Sequence, residues 1–434
     1  MITKRLVTMV YDYDVVVIGG GTAGVVAAIQ AGRAGAKTLL VEKTGMLGGT
    51  TINGGVNFPG LFHAWGHQVI AGIGWELVTR AVDEIGGTLP DFTDFDRSHH
   101  SRLQVRVNAF VYAALCDEAV VDAGVTPLFH TMPAIIQPAK GGTGWTVTLC
   151  AKDGLIKHTT RVLIDATGDA NAVSLAGFDL NIPEETQPAT LSCHASGYNV
   201  GDLDIAAINA AMAVEVEAGR MSCTDAGWNT VSPNVGQWLK SGGANASHVR
   251  HINARDSRGK SELELEARKG LLRLTRFLRK QPGLENLVID HVCSECGVRE
   301  TATIKGKATI TVEDYTSGRP WDDAVCHAFY PIDLHQSTGD GLGKEPLAEG
   351  TVPSVPRGAL LPVGSRNLLV AGRCVSSDRL ANSALRVQAS CMAMGQAAGA
   401  MAALSARANR DPEDLPMTDI RKLLREHAAI VPKT

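Results

Sequence analysis

The sequence predicts an α/β fold, a mostly parallel sheet with an α+β domain inserted into it, and three observations lead there. Residues 13–43 read as strand, glycine turn, helix and strand; residues 134–168 switch to short alternating runs; from 181 to 347 the strand–helix rhythm is lost. In the first stretch Val15, Val16, Val17 and Ile18 form a run too short for a helix and β-branched throughout, which reads as a strand covered on both faces. Gly19, Gly20, Gly21, Thr22, Ala23 and Gly24 then fit G-x-G-x-x-G. Gly19 permits the tight turn, Gly21 lets backbone approach a pyrophosphate, and Gly24 lets the next helix lie close to the sheet. The helix expected over Thr22–Arg33 is Ala-rich and offers phosphate the free N–H groups of its first turn. A strand over Thr38–Val41 ends in Glu42, about 20 residues past the turn, where this fold places an acceptor for a ribose hydroxyl. An unrelated glycine-rich turn would not account for that carboxylate, and an acid there disfavours a 2′-phosphate. The Rossmann-like unit therefore calls for an adenine dinucleotide.

The loop after this unit separates two such ligands. Glu42 is succeeded by Lys43, Thr44, Gly45, Met46, Leu47, Gly48, Gly49 and Thr50. This second diglycine resembles the E-x-x-x-x-G-G-[ST] continuation of FAD proteins of the glutathione-reductase-like superfamily, where it lies along the flavin side of the pyrophosphate. NAD domains usually continue into another helix. The resemblance implies FAD, with Lys43, Gly48, Gly49 and Thr50 beside it.

Size and composition fit that expectation. The 434 residues suffice for two domains sharing an interface, and 44% hydrophobic against 20% charged residues can bury a full core. Forty-six glycines with only 5% aromatics suit nucleotide-binding turns better than base-stacking surfaces, and a net charge of −4 gives no footprint for nucleic acid. Residues Met1–Met9 carry Lys4 and Arg5 without the apolar run of a signal peptide. The nine scattered cysteines fit reduced thiols, so a cytoplasmic location is expected.

Further along, residues 52–75 read as a loop leaving the nucleotide site, followed by a helix over 74–85. His63 and His67, four apart, have the spacing that could put them on one helix face. They lack a third ligand and the Glu of H-E-x-x-H, so no metal is assigned, and His63 becomes a candidate beside flavin or substrate. His99 and His100 fall in a polar linker with no role. A helix over 105–123 and a strand over 125–129 come next; superfamily members use that strand for the adenine half of FAD, which makes Ala134 a candidate contact. Gly141, Gly142 and Gly144, then Asp153-Gly154, break the next residues into a three-stranded meander. It delivers the chain into Ala166, Thr167 and Gly168. Such a meander with an A-T-G strand end is the second fingerprint of the superfamily and implicates those three residues at the cofactor.

In the inserted region an alternating run carries His194, and helices are expected over 202–219 and 262–279, the latter a charged, solvated surface. Cys293 and Cys296 form a single CxxC with no second pair, which reads as structural thiols. Residues 297–335 resemble the G-[IV]-R-E-x-x-x-I-x-G and Y-P-I-D-[IL]-H motifs of the large bacterial family described as FAD-dependent oxidoreductases. Arg299 reads either as the ion-pair partner of Glu300 or as the holder of a substrate carboxylate or of charge on reduced flavin. Asp333 and His335, two apart, share a face if the segment is a strand and read as a proton-transfer pair.

The last part returns to the sheet with a buried strand over 367–371, then Gly372, Arg373 and Cys374. A long helix is expected over 383–406. Arg386, Gln388 and Gln396 interrupt its apolar character, and Gly395 with Gly399 suit close packing rather than a membrane. In the superfamily this helix N-terminus faces the flavin pyrimidine ring, which implicates Ser383, Arg386 and Val387. The R-V-Q-x-x-C-M-A-x-G-Q-A-A-G run extends the family match to about residue 404. One departure stands out: the Thr-His-Glu-Ala run of many members is Asp378, Arg379, Leu380 and Ala381 here. If that His is catalytic elsewhere, this chain uses another acid or another substrate.

The resemblance thus implies a discontinuous FAD domain (residues 10–60, 100–180 and 350–434) and a substrate domain (61–99 and 181–349) closing over the isoalloxazine. It implies hydride transfer between flavin N5 and a small polar substrate, hydroxylated or carboxylate-bearing. His335 is the first candidate for the accompanying proton, then His63 and His194, with Arg299 and Arg386 steadying charge. A single dinucleotide fingerprint argues against a built-in NAD(P)H domain, so an external electron donor or acceptor is expected. The alternatives are a desaturase like fumarate reductase or ketosteroid dehydrogenase, and an electron-transfer flavoprotein resembling the flavin-bearing component of heterodisulfide reductase, against which the lack of clustered cysteines counts. Neither membrane nor nucleic acid is expected as a partner; a homo-oligomer is left open.

Overall fold

In the computed structural model, which describes residues 11–94 and 97–433, the first unit forms where the apolar run and glycine turn place it: β1 (Tyr13–Ile18), α1 (Thr22–Arg33) and β2 (Thr38–Val41). Lys4, Arg5 and the side chain of His99 lie outside the described residues. A tight hairpin of β3 (His63–Ala64) and β4 (His67–Gln68) comes next, then α2 (Ile73–Asp83) and α3 (Ala109–Asp122). After them run β5 (Thr126–Leu128), β6 (Met132–Pro138), β7 (Trp145–Ala151), β8 (Gly154–Asp165) and the short α4 (Asn171–Leu175).

The chain then leaves the sheet. β9 (Leu180–Asn181) pairs antiparallel with β13 (Thr303–Ile304), a two-residue ladder marking where it departs and returns. Between them lie β10 (Cys193–Ser196), α5 (Ile205–Glu217), α6 (Val235–Ser241), β11 (Gly243–Ala244), α7 (Ser257–Leu278) and β12 (Val288–Val292). This insertion has cores of its own, a larger one around Trp238, Ile208, Met212 and Leu274 and a smaller one around Leu191, Leu263 and Cys296. Beyond it come α8 (Val312–Ser317), β14 (Ala324–His327), β15 (Ile332–His335), β16 (Leu342–Glu345), β17 (Ser354–Pro356), β18 (Leu368–Val370), α9 (Arg379–Leu385), α10 (Gln388–Ala408) and α11 (Met417–Glu426). Leu61 to Val82 and Ile304 to Leu347, grouped with the insertion on sequence grounds, pack into the main core cluster.

The central sheet has the order β5-β2-β1-β8-β7-β6, with β18 also on β8. β5, β2, β1, β8 and β18 run parallel; β8, β7 and β6 form the antiparallel meander. β8 belongs to both, its first half paired with β7 and its second with β1. Val15, Val16 and Val17 are wholly buried, as a central parallel strand covered on both faces requires. α10 lies against α1 so closely that a Cβ on Gly395 would stand 2.2 Å from the Ala23 carbonyl oxygen. Among the described residues no helix is long and apolar enough to cross a membrane.

Three expectations on the elements are corrected. His63 and His67 sit on facing strands of a hairpin whose turn, Trp65-Gly66, has φ of 55° and 78°, a backbone no helix contains. The third helix starts at Ala109 because Asn108 caps it, accepting from the Val111 N–H, while Val107 is held out by the carbonyl of Asn57. The long C-terminal helix is two helices, broken at Arg386 and Val387, where ψ of Val387 is 140°. Contacts across the fold make that break. Arg386 is drawn to Asp333, the Gln388 amide bonds the Val56 carbonyl, and Val387 packs so tightly on Gly60 that a Cβ there would meet it at 2.3 Å.

All nine cysteines are free, and only Cys150 is exposed. Burial pushes the thiols of Cys193 and Cys296 up to about 12. We expect Ellman's reagent to titrate one thiol in the native protein and all nine after denaturation. Rapid native reaction at the Cys293/Cys296 pair would show that the CxxC is not structural.

Candidate active site

The carboxyl ends of β1, β2, β8 and β18 build a cradle. α1 begins at Gly21 with no side-chain cap, so its first N–H groups are left for a ligand. Gly19, at φ 103°, turns the chain under it, and a Cβ on Gly24 would come within 1.8 Å of the Gly19 carbonyl oxygen. The buried Glu42 ties the turn to the next loop: its Oε2 accepts from the Gly20 N–H at 2.7 Å and its Oε1 from the Thr44 N–H at 2.8 Å. A carboxylate has about four lone-pair sites, so acceptor capacity remains. Gly48, Gly49 and Thr50 cross over the start of α1, with a Cβ on Gly49 only 2.7 Å from Gly21 Cα. Opposite, the Ala166 N–H bonds the Ile18 carbonyl, and Thr167 and Gly168 continue past it. Gly372 abuts Ala23, and Arg373 donates from Nε to the Gly168 carbonyl at 2.9 Å and pairs with Asp169. Two candidates point elsewhere. Lys43 pairs with Glu295 of the insertion at 2.8 Å, and Ala134 lies at the irregularity of β6 while Thr131 bonds the Glu42 carbonyl.

A second group of polar residues meets at the break between α9 and α10. β15 presents Asp333 and His335 side by side, His335 Nε2 standing 3.6 Å from Asp333 Oδ2. Arg386 reaches in from the end of α9, its Nη2 at 3.1 Å from the Asp333 carbonyl and 3.5 Å from Oδ2. Gln187 accepts from the His335 N–H at 3.1 Å, and Ser383 accepts from the Asp333 N–H at 3.1 Å. His335 Nδ1 lies 2.9 Å from Nε2 of His248, a residue of the insertion with no local sequence pattern to flag it. Burial and the Arg299 charge hold the His335 imidazole down at about 3. Burial pushes the Asp333 carboxyl up, but His335, Arg386 and Lys344 outweigh it and hold it well below the usual carboxylate range. Burial and the charge of Arg386 bring Arg299 down to about 9.

Of the remaining candidates, Arg299 acts on this group through its charge, and His194 and His63 lie apart from it. Arg299 and Glu300 are not a pair: Arg299 donates to the Pro188 carbonyl at 2.7 Å and Thr190 Oγ1 at 3.0 Å. Glu300 instead binds Arg379 at 3.0 Å, because adjacent residues of an extended segment point opposite ways. His194 faces out from β10 against Asp290 at 2.9 Å. His63 stacks on Phe92 with ring centroids 3.7 Å apart, and burial takes its imidazole down to about 4.

These depressed histidines set a pH dependence. Unfolded, His63 and His335 take up protons below about 6.5; folded, they resist until about 4 and about 3. Their contribution to stability is full above about pH 6.5 and is lost as pH falls toward the folded values. The urea midpoint should therefore drop between about pH 6.5 and pH 4.5, and less steeply in His335→Gln. A flat midpoint over that window would contradict the burial of these rings.

The model of a family described as FAD dependent oxidoreductase matches residues 14–424. The chain belongs to that family. This FAD-dependent oxidoreductase also matches curated proteins over short stretches: it is 50% identical over 62 residues to a dihydrolipoyl dehydrogenase of Trypanosoma brucei brucei, 14% of this chain and 13% of that one. It is 59% identical over 44 residues to a dihydrolipoamide dehydrogenase of Chaetomium thermophilum, 10% and 9%. The chain thus aligns with only a small part of those relatives' length. Among solved structures, a geranylgeranyl bacteriochlorophyll reductase-like protein of Thermoplasma acidophilum aligns with a TM-score of 0.45 and 16% identity, over 95% of this chain and 83% of that one. The enzyme's cofactor is FAD, and the cradle fits it. The α1 terminus is uncapped, and a Cβ on Gly21 would meet nothing nearer than 3.8 Å, so the backbone is open to a pyrophosphate. When bound, FAD would supply the redox chemistry, while the protein's own groups position it.

Proposed function

We propose that this oxidoreductase moves a hydride between FAD and a small polar substrate, carboxylate-bearing or hydroxylated, held at the break between α9 and α10. The observation that carries the reading is a set of buried polar atoms lacking any hydrogen-bond partner: Gln187 Nε2, Arg386 Nε, Asp333 Oδ1 and Ser390 Oγ. Unpaired buried polar atoms are costly, so their gathering beside one helix start points to an absent polar guest. The donors Gln187 Nε2 and Arg386 Nε suit a carboxylate or hydroxyl oxygen, and Asp333 Oδ1 suits a hydroxyl proton. Arg299 lends positive charge from behind, and the first turn of α10 adds its dipole. In this reading Glu42 receives the ribose, α1 and Gly48 to Thr50 the pyrophosphate, and Ala166 to Gly168 with Gly372, Arg373 and Val387 the flavin side. Neutral His335 exchanges the accompanying proton through Asp333, and electrons pass to or from a separate carrier or second substrate.

Anaerobic mixing with a panel of hydroxy acids, sugars and enoates tests this reading. At least one compound should bleach the flavin. His335→Gln should slow bleaching by about 10²–10⁴-fold without releasing FAD. Bleaching at the wild-type rate in that variant would remove His335 from the mechanism.

A further inference from the structure

The row of polar groups that starts at Asp333 does not end at His335. His248 Nε2 takes the far side of the His335 ring at 2.9 Å, while His248 Nδ1 is buried and has no partner. His248 is 4% exposed, fixed through its backbone N–H on the Thr224 carbonyl at 3.0 Å. Trp228 braces both rings, near-parallel to His248 at 20° and edge-on to His335 at 5.5 Å between centroids. His248 also lines a cavity of about 160 Å³ in the insertion, shared with Thr224, Ser247, Arg250, Asp225 and Arg273. That space is larger than one water needs.

The tautomers are set by the neighbours. If His335 held its proton on Nδ1, a lone pair on Nε2 would face the Asp333 carboxylate. With the proton on Nε2, His335 donates toward Asp333, accepts from His248 Nε2–H, and leaves His248 Nδ1 as a bare acceptor. Burial first, and then the charge of Arg299 with Arg250 beside His248 and Arg386 beside His335, keeps both rings neutral, so they pass a proton on rather than store it.

We propose that His248 is the outer end of a proton relay, His248–His335–Asp333, joining the cavity of the insertion to the polar group at the start of α10. The inference rests on the redox function proposed for that polar group. A proton arriving at His248 Nδ1 forms an N–H bond there as the Nε2–H bond breaks and its proton passes to His335 Nδ1. The Nε2 proton of His335 then passes to Asp333 Oδ2, once their 3.6 Å gap closes, and from that carboxyl to the substrate. One proton enters, one leaves and no electron moves. Reverse passage in the other half-reaction restores both tautomers.

Two measurements decide it. In ¹⁵N-histidine-labelled protein, with peaks assigned by His248→Gln and His335→Gln, both rings should stay neutral with the proton on Nε2 from about pH 5 to pH 8. A His248 that titrates in that window, or carries its proton on Nδ1, overturns the relay. In the holoprotein reduced by dithionite in weak buffer with a pH indicator, H248Q should slow proton uptake about a hundredfold at unchanged FAD content, and added imidazole should restore it. Uptake at the wild-type rate in H248Q also overturns the relay. A colourless protein would sink the redox reading alone, because the wild-type tautomers still judge the histidine pair.

Discussion

A Gly24→Ala variant is expected to purify colourless. The added Cβ would stand 1.8 Å from the Gly19 carbonyl oxygen and 3.0 Å from Ala166 Cβ, and the first of these is backbone that cannot swing aside. α1 must lift from the sheet, an overpacking cost of about 1–3 kcal/mol. The lifted helix carries its uncapped N–H groups away from the pyrophosphate. At about 1.4 kcal/mol per decade, FAD affinity should fall up to roughly a hundredfold. Gly21→Ala makes the informative partner, since its Cβ would meet protein no closer than 3.8 Å and the fold should accept it. Loss of flavin from that variant, with thermal stability of the apoprotein unchanged, would report on the ligand alone. Full flavin absorbance in Gly24→Ala would mean that the cradle lies elsewhere.

Arg386→Met should have the second large effect. Arg386 is the near counter-charge of the Asp333 carboxylate, and both side chains are largely buried, at 14% and 12% exposed. Removing one member of such a pair strands the other and costs about 3–5 kcal/mol. Adding Asp333→Asn should recover part of the loss, because the stranded charge is then gone. Arg386→Lys should not restore the loss, since its shorter, point-charge ammonium does not hold the position of the guanidinium Nη2 that meets both the Asp333 carbonyl and its side chain. Urea titration of the four proteins gives the coupling. Purely additive losses would mean that the two residues act independently.

The parts of the molecule legible in the sequence are those written locally. β1, α1 and β2 follow from an apolar run, a glycine turn and a terminal acid within one short unit, and the meander from turn residues between alternating runs. Spacing without context misleads. His63 and His67 carry helical spacing, yet Trp65-Gly66 can close a two-residue hairpin and does so. Arg386-Val387 carries neither Gly nor Pro, so nothing local announces a break that Asp333, Val56 and Gly60 impose from afar. Glu300 stands next to Arg299 in the chain, but its true counter-ion, Arg379, is near only after folding. His248 is invisible for the same reason, since the partner that gives it meaning is 87 residues away.

The threading of β18 has a consequence for how the enzyme matures. The sheet begun at Tyr13 gains its last parallel strand at Leu368, and the loop through Gly372 that abuts Ala23 is made later still. A nascent polypeptide emerging from the ribosome therefore carries a half-built edge of β8 until Leu368 to Val370 have been made, and such edges invite mispairing. The flavin cradle is complete only once Gly372 has been made. Flavin-starved cells should accumulate full-length, protease-sensitive protein rather than truncated chains.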